Sequence, residues 1–97
     1  MSSISFSWDD RKNRSNQKKH GVPFEEAQTV FFDENAIEYF DPDHSEGEDR
    51  YLMLGVSCRI RALVVSYSLL KEGSEIRIIS ARKATKEEQK IHFGERL

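Results

Sequence analysis

Three runs of the chain, Arg50 to Ser57, Arg61 to Leu69 and Glu75 to Arg82, are rich in β-branched, aliphatic and aromatic side chains and lie only a few residues apart. The turn near Cys58-Arg59-Ile60 and the Lys71-Glu72-Gly73-Ser74 turn are too short for a crossover, so consecutive strands are expected to pair antiparallel. Ala36 to Phe40 reads as another strand. Ile4, Phe6 and Trp8 alternate with Ser5 and Ser7, the pattern of a short half-buried strand. Ninety-seven residues leave room for one core, so 1–97 reads as a single domain.

The rest of the chain reads as helix. Asp9-Asp10 offers N-cap chemistry at the positive end of a helix that runs to about His20 and stops at Gly21. From Asp9 to His20 there is no apolar residue, so a hydrophobic stripe cannot hold this helix. It must dock through polar groups, bind a partner, or form weakly. Val22-Pro23 opens a second helix whose buried face is Phe24, Ala27, Val30 and Phe31. Thr85-Lys86-Glu87-Glu88 fits the capping box of a C-terminal helix. The order is β-α-α-β-β-β-β-α, which predicts an α+β fold: an antiparallel sheet of four to five strands with helices packed on one face.

The net charge of −2 conceals its distribution. Residues 1–20 carry +3, residues 21–49 carry −10, and residues 50–97 carry +5. A basic patch forms if the two basic segments meet in the fold.

Several classes of function are set aside. No apolar stretch approaches the roughly 20 residues that cross a bilayer, and the N-terminus lacks the basic and apolar regions of a secretion signal, so a cytoplasmic location is expected. Cys58, the single cysteine, builds neither a disulfide framework nor a zinc site alone. Asp41, Asp43 and Ser45 imitate the start of an EF-hand loop, but Glu46 stands where glycine is required and Leu52 at the twelfth position. No serine has a G-x-S-x-G setting. Neither a metal nor another cofactor is expected.

The strands carry the chemistry. Arg61, Leu63, Val65, Tyr67 and Leu69 share one face by the period of two. On the last strand Ile76, Ile78, Ser80 and Arg82 share one face, and Arg77, Ile79, Ala81 and Lys83 the other. An arginine within an apolar strand needs either an ion pair, for which the acidic 25–49 segment offers partners, or a phosphate. Arg77 and Arg82 are five apart, so a regular strand puts them on opposite faces unless a bulge intervenes or Arg82 lies past its end. Asn16 and His20 are i, i+4 neighbours beside Lys19. They serve either to dock the polar helix or, in the case of His20, to transfer protons.

With these features in view, the chain resembles the BrnT family of toxins from bacterial type II toxin–antitoxin pairs. The resemblance runs through Phe6-Ser7-Trp8-Asp9, Asn16-Gln17-Lys18-Lys19-His20-Gly21-Val22 and Phe24-Glu25-Glu26-Ala27. It continues through Asp41-Pro42-Asp43-His44-Ser45-Glu46-Gly47-Glu48-Asp49-Arg50-Tyr51 and Ile76-Arg77-Ile78-Ile79-Ser80-Ala81-Arg82-Lys83-Ala84-Thr85, and so covers nearly the whole chain. Between them, Arg11 to Ser15 carries charge where the family often has alanines.

The resemblance implies a RelE-like fold and a ribonuclease that arrests growth by cutting RNA without a metal, through attack of the ribose 2′-OH on the adjacent phosphate. It implies a cognate antitoxin with a ribbon-helix-helix domain, a 2:2 complex with it, and contact with operator DNA only through that antitoxin. The site residues it suggests are Arg61, Arg77 and Arg82 for phosphate stabilisation, His20 or Tyr67 for proton transfer, and Lys19, Arg59 and Lys83 for RNA binding. The competing reading is an inactive interaction module, a scaffold within a DNA-binding antitoxin complex.

Overall fold

In the computed structural model, which describes residues 3–94, the three C-terminal strand runs form the expected meander: β3 (Arg50–Val56), β4 (Ala62–Leu70) and β5 (Glu75–Lys83). Met1 and Ser2, the start of the N-terminal stretch read above, lie outside the described residues. β2 (Ile37–Asp41) joins beside β3, and β1 (Ser5–Ser7) beside β5, giving the order β1-β5-β4-β3-β2. β2, β3, β4 and β5 pair antiparallel, whereas β1 pairs parallel to β5 through Phe6 opposite Ile76. The sheet is therefore mixed. Parallel neighbours need a long connection, and β1 has one, because the whole meander intervenes before β5 returns.

The helices are α1 (Asp10–His20), α2 (Phe24–Ala27), which continues into a 3₁₀ turn at Gln28–Phe32, and α3 (Lys86–Phe93). The α2 segment and its 3₁₀ extension lay Val22, Phe24, Ala27 and Val30 on one face of the sheet, against Leu63, Val65, Tyr67, Ile76, Ile78 and Ala81. All ten are buried, and each of the large side chains contributes roughly 1.5–3 kcal/mol of transfer free energy. Gly55 belongs here for lack of space: a Cβ on it would stand 2.9 Å from Val30 Cγ1 and 3.1 Å from Ala36 Cβ.

The third helix takes the other face. A smaller cluster of Leu54, Val64 and Ala84, with Leu52 and Ala62 beside it, is the apolar patch there, and Ile91 of α3 lines a cleft with Tyr39, Leu52, Leu54 and Val64. Helices thus flank both faces of the sheet. Both ends of α3 are fixed by side-chain hydrogen bonds. Arg82 donates to Glu88 in its first turn, and the buried His92 ring at its last turn lies 2.8 Å from Asp33. Thr85 and Glu88 form the expected capping box. No helix among the described residues is long and apolar enough to cross a membrane.

Candidate nucleic-acid interface

α1 reaches the sheet without one apolar side chain. Asp9 caps it by accepting from the amides of Arg11 and Lys12, and Gly21 ends it at φ +70°, a left-handed position that favours glycine. Two buried asparagines then replace the missing stripe. Asn13 accepts from the Phe24 amide at 2.9 Å and donates to Glu25 at 3.0 Å. Asn16 donates to the carbonyls of Val22 and Ala81, both at 2.8 Å, and accepts from the Ala81 amide at 3.1 Å. Of the two residues considered for docking, Asn16 does this work; its partner is Asn13, which the sequence reading did not single out, and the His20 side chain makes no hydrogen bond among the described residues.

This docking leaves the charged side of α1 in solvent, alongside β5. The basic segment 1–20 and the basic segment 50–97 therefore do meet. Between them runs a shallow groove of about 210 Å³ lined by Lys12, Ser15, Asn16, Lys19, His20, Ile79 and Ser80. Lys12 was not foreseen in it, although its helical spacing to Asn16, Lys19 and His20 places all four on one side of α1. Ser80 was not foreseen either.

The parity problem on β5 is resolved by a bulge. Ser66 pairs with Ser80 but Tyr67 pairs with Ile78, so Ile79 is the extra residue. The alternation restarts after it. Ile76, Ile78 and Ala81 all face the α2 side, while Arg77, Ser80 and Arg82 are opposite Ser68, Ser66 and Val64 on the other face. Arg77 and Arg82 thus project from the same face, and Ser80 links that face to the groove at His20.

The remaining candidates do not converge on this place. Arg61 forms a two-pronged ion pair with Glu26, at 2.9 and 2.5 Å, and also donates to the Gly21 carbonyl at 3.1 Å. Glu26 is buried and accepts from Ser57 Oγ at 2.6 Å as well; the Arg61 bonds hold its carboxyl below the usual range despite burial. Arg61 is therefore the intramolecular partner of the acidic segment. Arg82 is similarly paired with Glu88 at 2.8 and 2.9 Å, which draws the Glu88 carboxyl down to about 2. Tyr67 is 1% exposed on the opposite face, stacked on Tyr51 and edge-on to Phe31, with its hydroxyl donating to Glu38. Burial, and then the Glu38 bond, push its phenol far up. Arg77 is exposed and makes no ion pair among the described residues. Lys19, Arg59 and Lys83 are all exposed: Lys19 at the groove, Arg59 at the β3–β4 turn, and Lys83 at the end of β5.

The groove and the adjoining sheet face thus offer ammonium and guanidinium groups, the hydroxyls of Ser15, Ser80, Ser66 and Ser68 and one imidazole, with no carboxylate lining the groove. Such a surface has the donors that suit phosphates and a group able to carry a proton.

Comparison with known proteins adds two observations. A family model described as "Ribonuclease toxin, BrnT, of type II toxin-antitoxin system" matches residues 8–88. The crystal structure of the Brucella abortus ribonuclease toxin BrnT superposes with a TM-score of 0.66 at 19% identity, covering 87% of this chain and 100% of that one. Among curated proteins there is no match.

Proposed function

Because the chain belongs to the BrnT family of ribonuclease toxins from type II toxin–antitoxin systems, we propose that it cuts cytoplasmic RNA at the α1–β5 groove and thereby arrests growth. The ribose 2′-OH attacks the adjacent phosphate without help from a metal. His20 transfers the proton, and Arg77 stabilises the charge that develops on the phosphate. Lys12, Lys19 and Lys83 bind neighbouring phosphates, with Arg59 at the β3–β4 turn beside the Lys83 end of β5. Arg82 contributes charge from within its ion pair. Arg61 acts indirectly, since its bond to the Gly21 carbonyl fixes the residue that follows His20. Tyr67, buried on the other face, takes no part in proton transfer.

The observation that carries this reading is the meeting of His20 and Lys19 with the free edge of β5, where Ser80 leads to Arg77. The toxin is neutralised by an antitoxin with a ribbon-helix-helix domain in a 2:2 complex, which represses their operon and touches operator DNA only through the antitoxin. Inducing the chain alone, beside its His20→Ala and Arg77→Ala variants, tests the activity. The expected result is arrest with RNA decay, reduced on the order of 10²–10³-fold by either variant. Normal growth and intact RNA from a folded chain would overturn it. That outcome leaves the scaffold reading, which the intramolecular pairing of Arg61 and Arg82 favours.

A further inference from the structure

A lateral row crosses the second face of the sheet, outside the residues on which α3 packs. Arg50 stands opposite Ser68 in the β3–β4 register, and Ser68 opposite Arg77 in the β4–β5 register. Residues so paired project from one face. With strands about 4.8 Å apart, the Cα atoms of Arg50 and Arg77 are roughly 10 Å apart with Ser68 midway. Arginine side chains are long enough to reach a single small anion from both ends of that span.

The row is unusual in its unused donors. Ser68 is fully buried, yet its hydroxyl has no hydrogen-bond partner among the described residues; the buried Nε of Arg50 has none either. Buried polar groups left unpaired are rare and ask for a reason. Neither Arg50 nor Arg77 makes an ion pair among the described residues. The carboxylates of this face have other partners. Asp41, opposite Arg50 in the β2–β3 register, lies 2.9 Å from His44 and makes no ion pair with Arg50 among the described residues, and Glu75 accepts from Ser7 at 2.6 Å and faces Lys71 at 3.2 Å.

We propose that Arg50, Ser68 and Arg77 form an oxyanion site that seats the phosphate next to the scissile one, one step along the RNA strand from the groove at His20, with the Arg77 guanidinium bridging the two phosphates. The identity of the ligand rests on the ribonuclease reading; the donor set itself selects a phosphate-like anion. Backbone contacts of this kind come from arginines and small hydroxyls. The neighbouring row continues with Ser66 and Ser80, and Ser80 also lines the groove. A strand of phosphates laid from Arg77 to Lys12 and Lys19 thus passes over hydroxyls all the way, whereas a lone carboxylate from a protein partner uses only the first of these groups.

Binding is measured by fluorescence anisotropy with the full chain and a 2′-O-methyl oligoribonucleotide, which lacks the attacking hydroxyl and stays intact, with inorganic phosphate as competitor. The variants are Arg50→Gln, Ser68→Ala, Arg77→Gln and, as a control for net charge, the exposed Lys90→Gln. Arg50→Gln and Arg77→Gln are each expected to weaken binding about tenfold and to reduce the salt slope by about 0.7. Ser68→Ala should weaken binding about threefold while raising Tm, since it removes an unpaired buried hydroxyl. Lys90→Gln should leave affinity unchanged. If Arg50→Gln does not fold, Ser68→Ala carries the test by itself.

Wild-type affinity in Arg50→Gln and Ser68→Ala, or an equal loss in Lys90→Gln, would overturn the site. Saturation by an acidic peptide, with no response to oligonucleotide or phosphate, would assign the row to a protein partner and overturn it too. A parallel cleavage assay on unmodified RNA separates the two levels. Oligonucleotide binding that depends on Arg50 and Ser68 without any cleavage keeps the site and removes the ribonuclease reading. Cleavage and binding indifferent to both residues remove the site and keep the enzyme.

Discussion

Asn16 pairs with Ala81 as a neighbouring strand would, donating to its carbonyl at 2.8 Å and accepting from its amide at 3.1 Å. The relationship follows from the brevity of β1, whose register with β5 ends at Arg77. Beyond that point the edge of β5 carries unpaired backbone groups, and one primary amide has the donor and acceptor to satisfy such a pair. A helix with no apolar residue is thereby fastened where a strand is missing.

Asn16→Ala should therefore destabilise the fold by about 2–4 kcal/mol, because it leaves a buried amide and carbonyl unpaired on β5. Urea denaturation followed by far-UV circular dichroism measures this. A loss under about 0.5 kcal/mol, the usual size for a surface substitution, would contradict the account of how α1 is held.

Arg61 and Arg77 should separate cleanly in a stability assay. Arg61→Ala strands the Glu26 carboxylate, whose side chain is 2% exposed, and should cost about 3 kcal/mol or more. Arg77→Ala removes an exposed, unpaired side chain and should lie within about 0.5 kcal/mol of wild type. Equal losses in thermal unfolding would mean that one of these two environments is misassigned.

The Arg82–Glu88 pair gives a pH dependence with a definite sign. Glu88 titrates near 2 in the folded chain against 4.5 unpaired, so its contribution is complete above about pH 4.5 and lost as pH falls toward 2. The Arg82 side chain is 41% exposed, so screening holds the contribution to about 1 kcal/mol. Wild type and Glu88→Gln, compared by urea denaturation between pH 7 and pH 2, should differ by a constant amount down to about pH 4.5 and then converge. Glu26 and Glu75, also held low by their partners, shift wild-type stability in the same direction.

Gly55→Ala tests the seam between β3 and the 3₁₀ turn. Its Cβ would meet Val30 Cγ1 at 2.9 Å, and Ala36 Cβ and Asp33 Oδ2 both at 3.1 Å. Overpacking of this kind should cost roughly 1–3 kcal/mol in thermal unfolding. Adding Val30→Ala should restore part of it if the two positions couple, which a double-mutant cycle reads directly.

The meander, the capping box at Thr85 and the C′ glycine at Gly21 were legible in the sequence because each depends on local chemistry: short turns, one hydroxyl with one glutamate, one left-handed residue. So was the need for α1 to dock through polar groups. The parallel pairing of β1 and the seat of α3 were not legible, since both depend on contacts between segments far apart in the chain. For the site residues the limit was different. An arginine in a strand reads the same whether it meets a carboxylate, as Arg61 and Arg82 do, or makes no ion pair among the described residues, as with Arg77. Only the fold brings Glu26 and Glu88 within reach of two of them.

Ile79 is one residue with a long reach. By interrupting the ladder once, it inverts the phase of everything that follows on β5, so that Ala81 faces the core and Arg82 turns toward α3. Were Ile79 to take a regular place in the ladder, the same residues would aim a guanidinium into the hydrocarbon interior and a methyl group into solvent. The arithmetic of odd and even along this strand is thus as much a determinant of its surface chemistry as the identity of any side chain it carries.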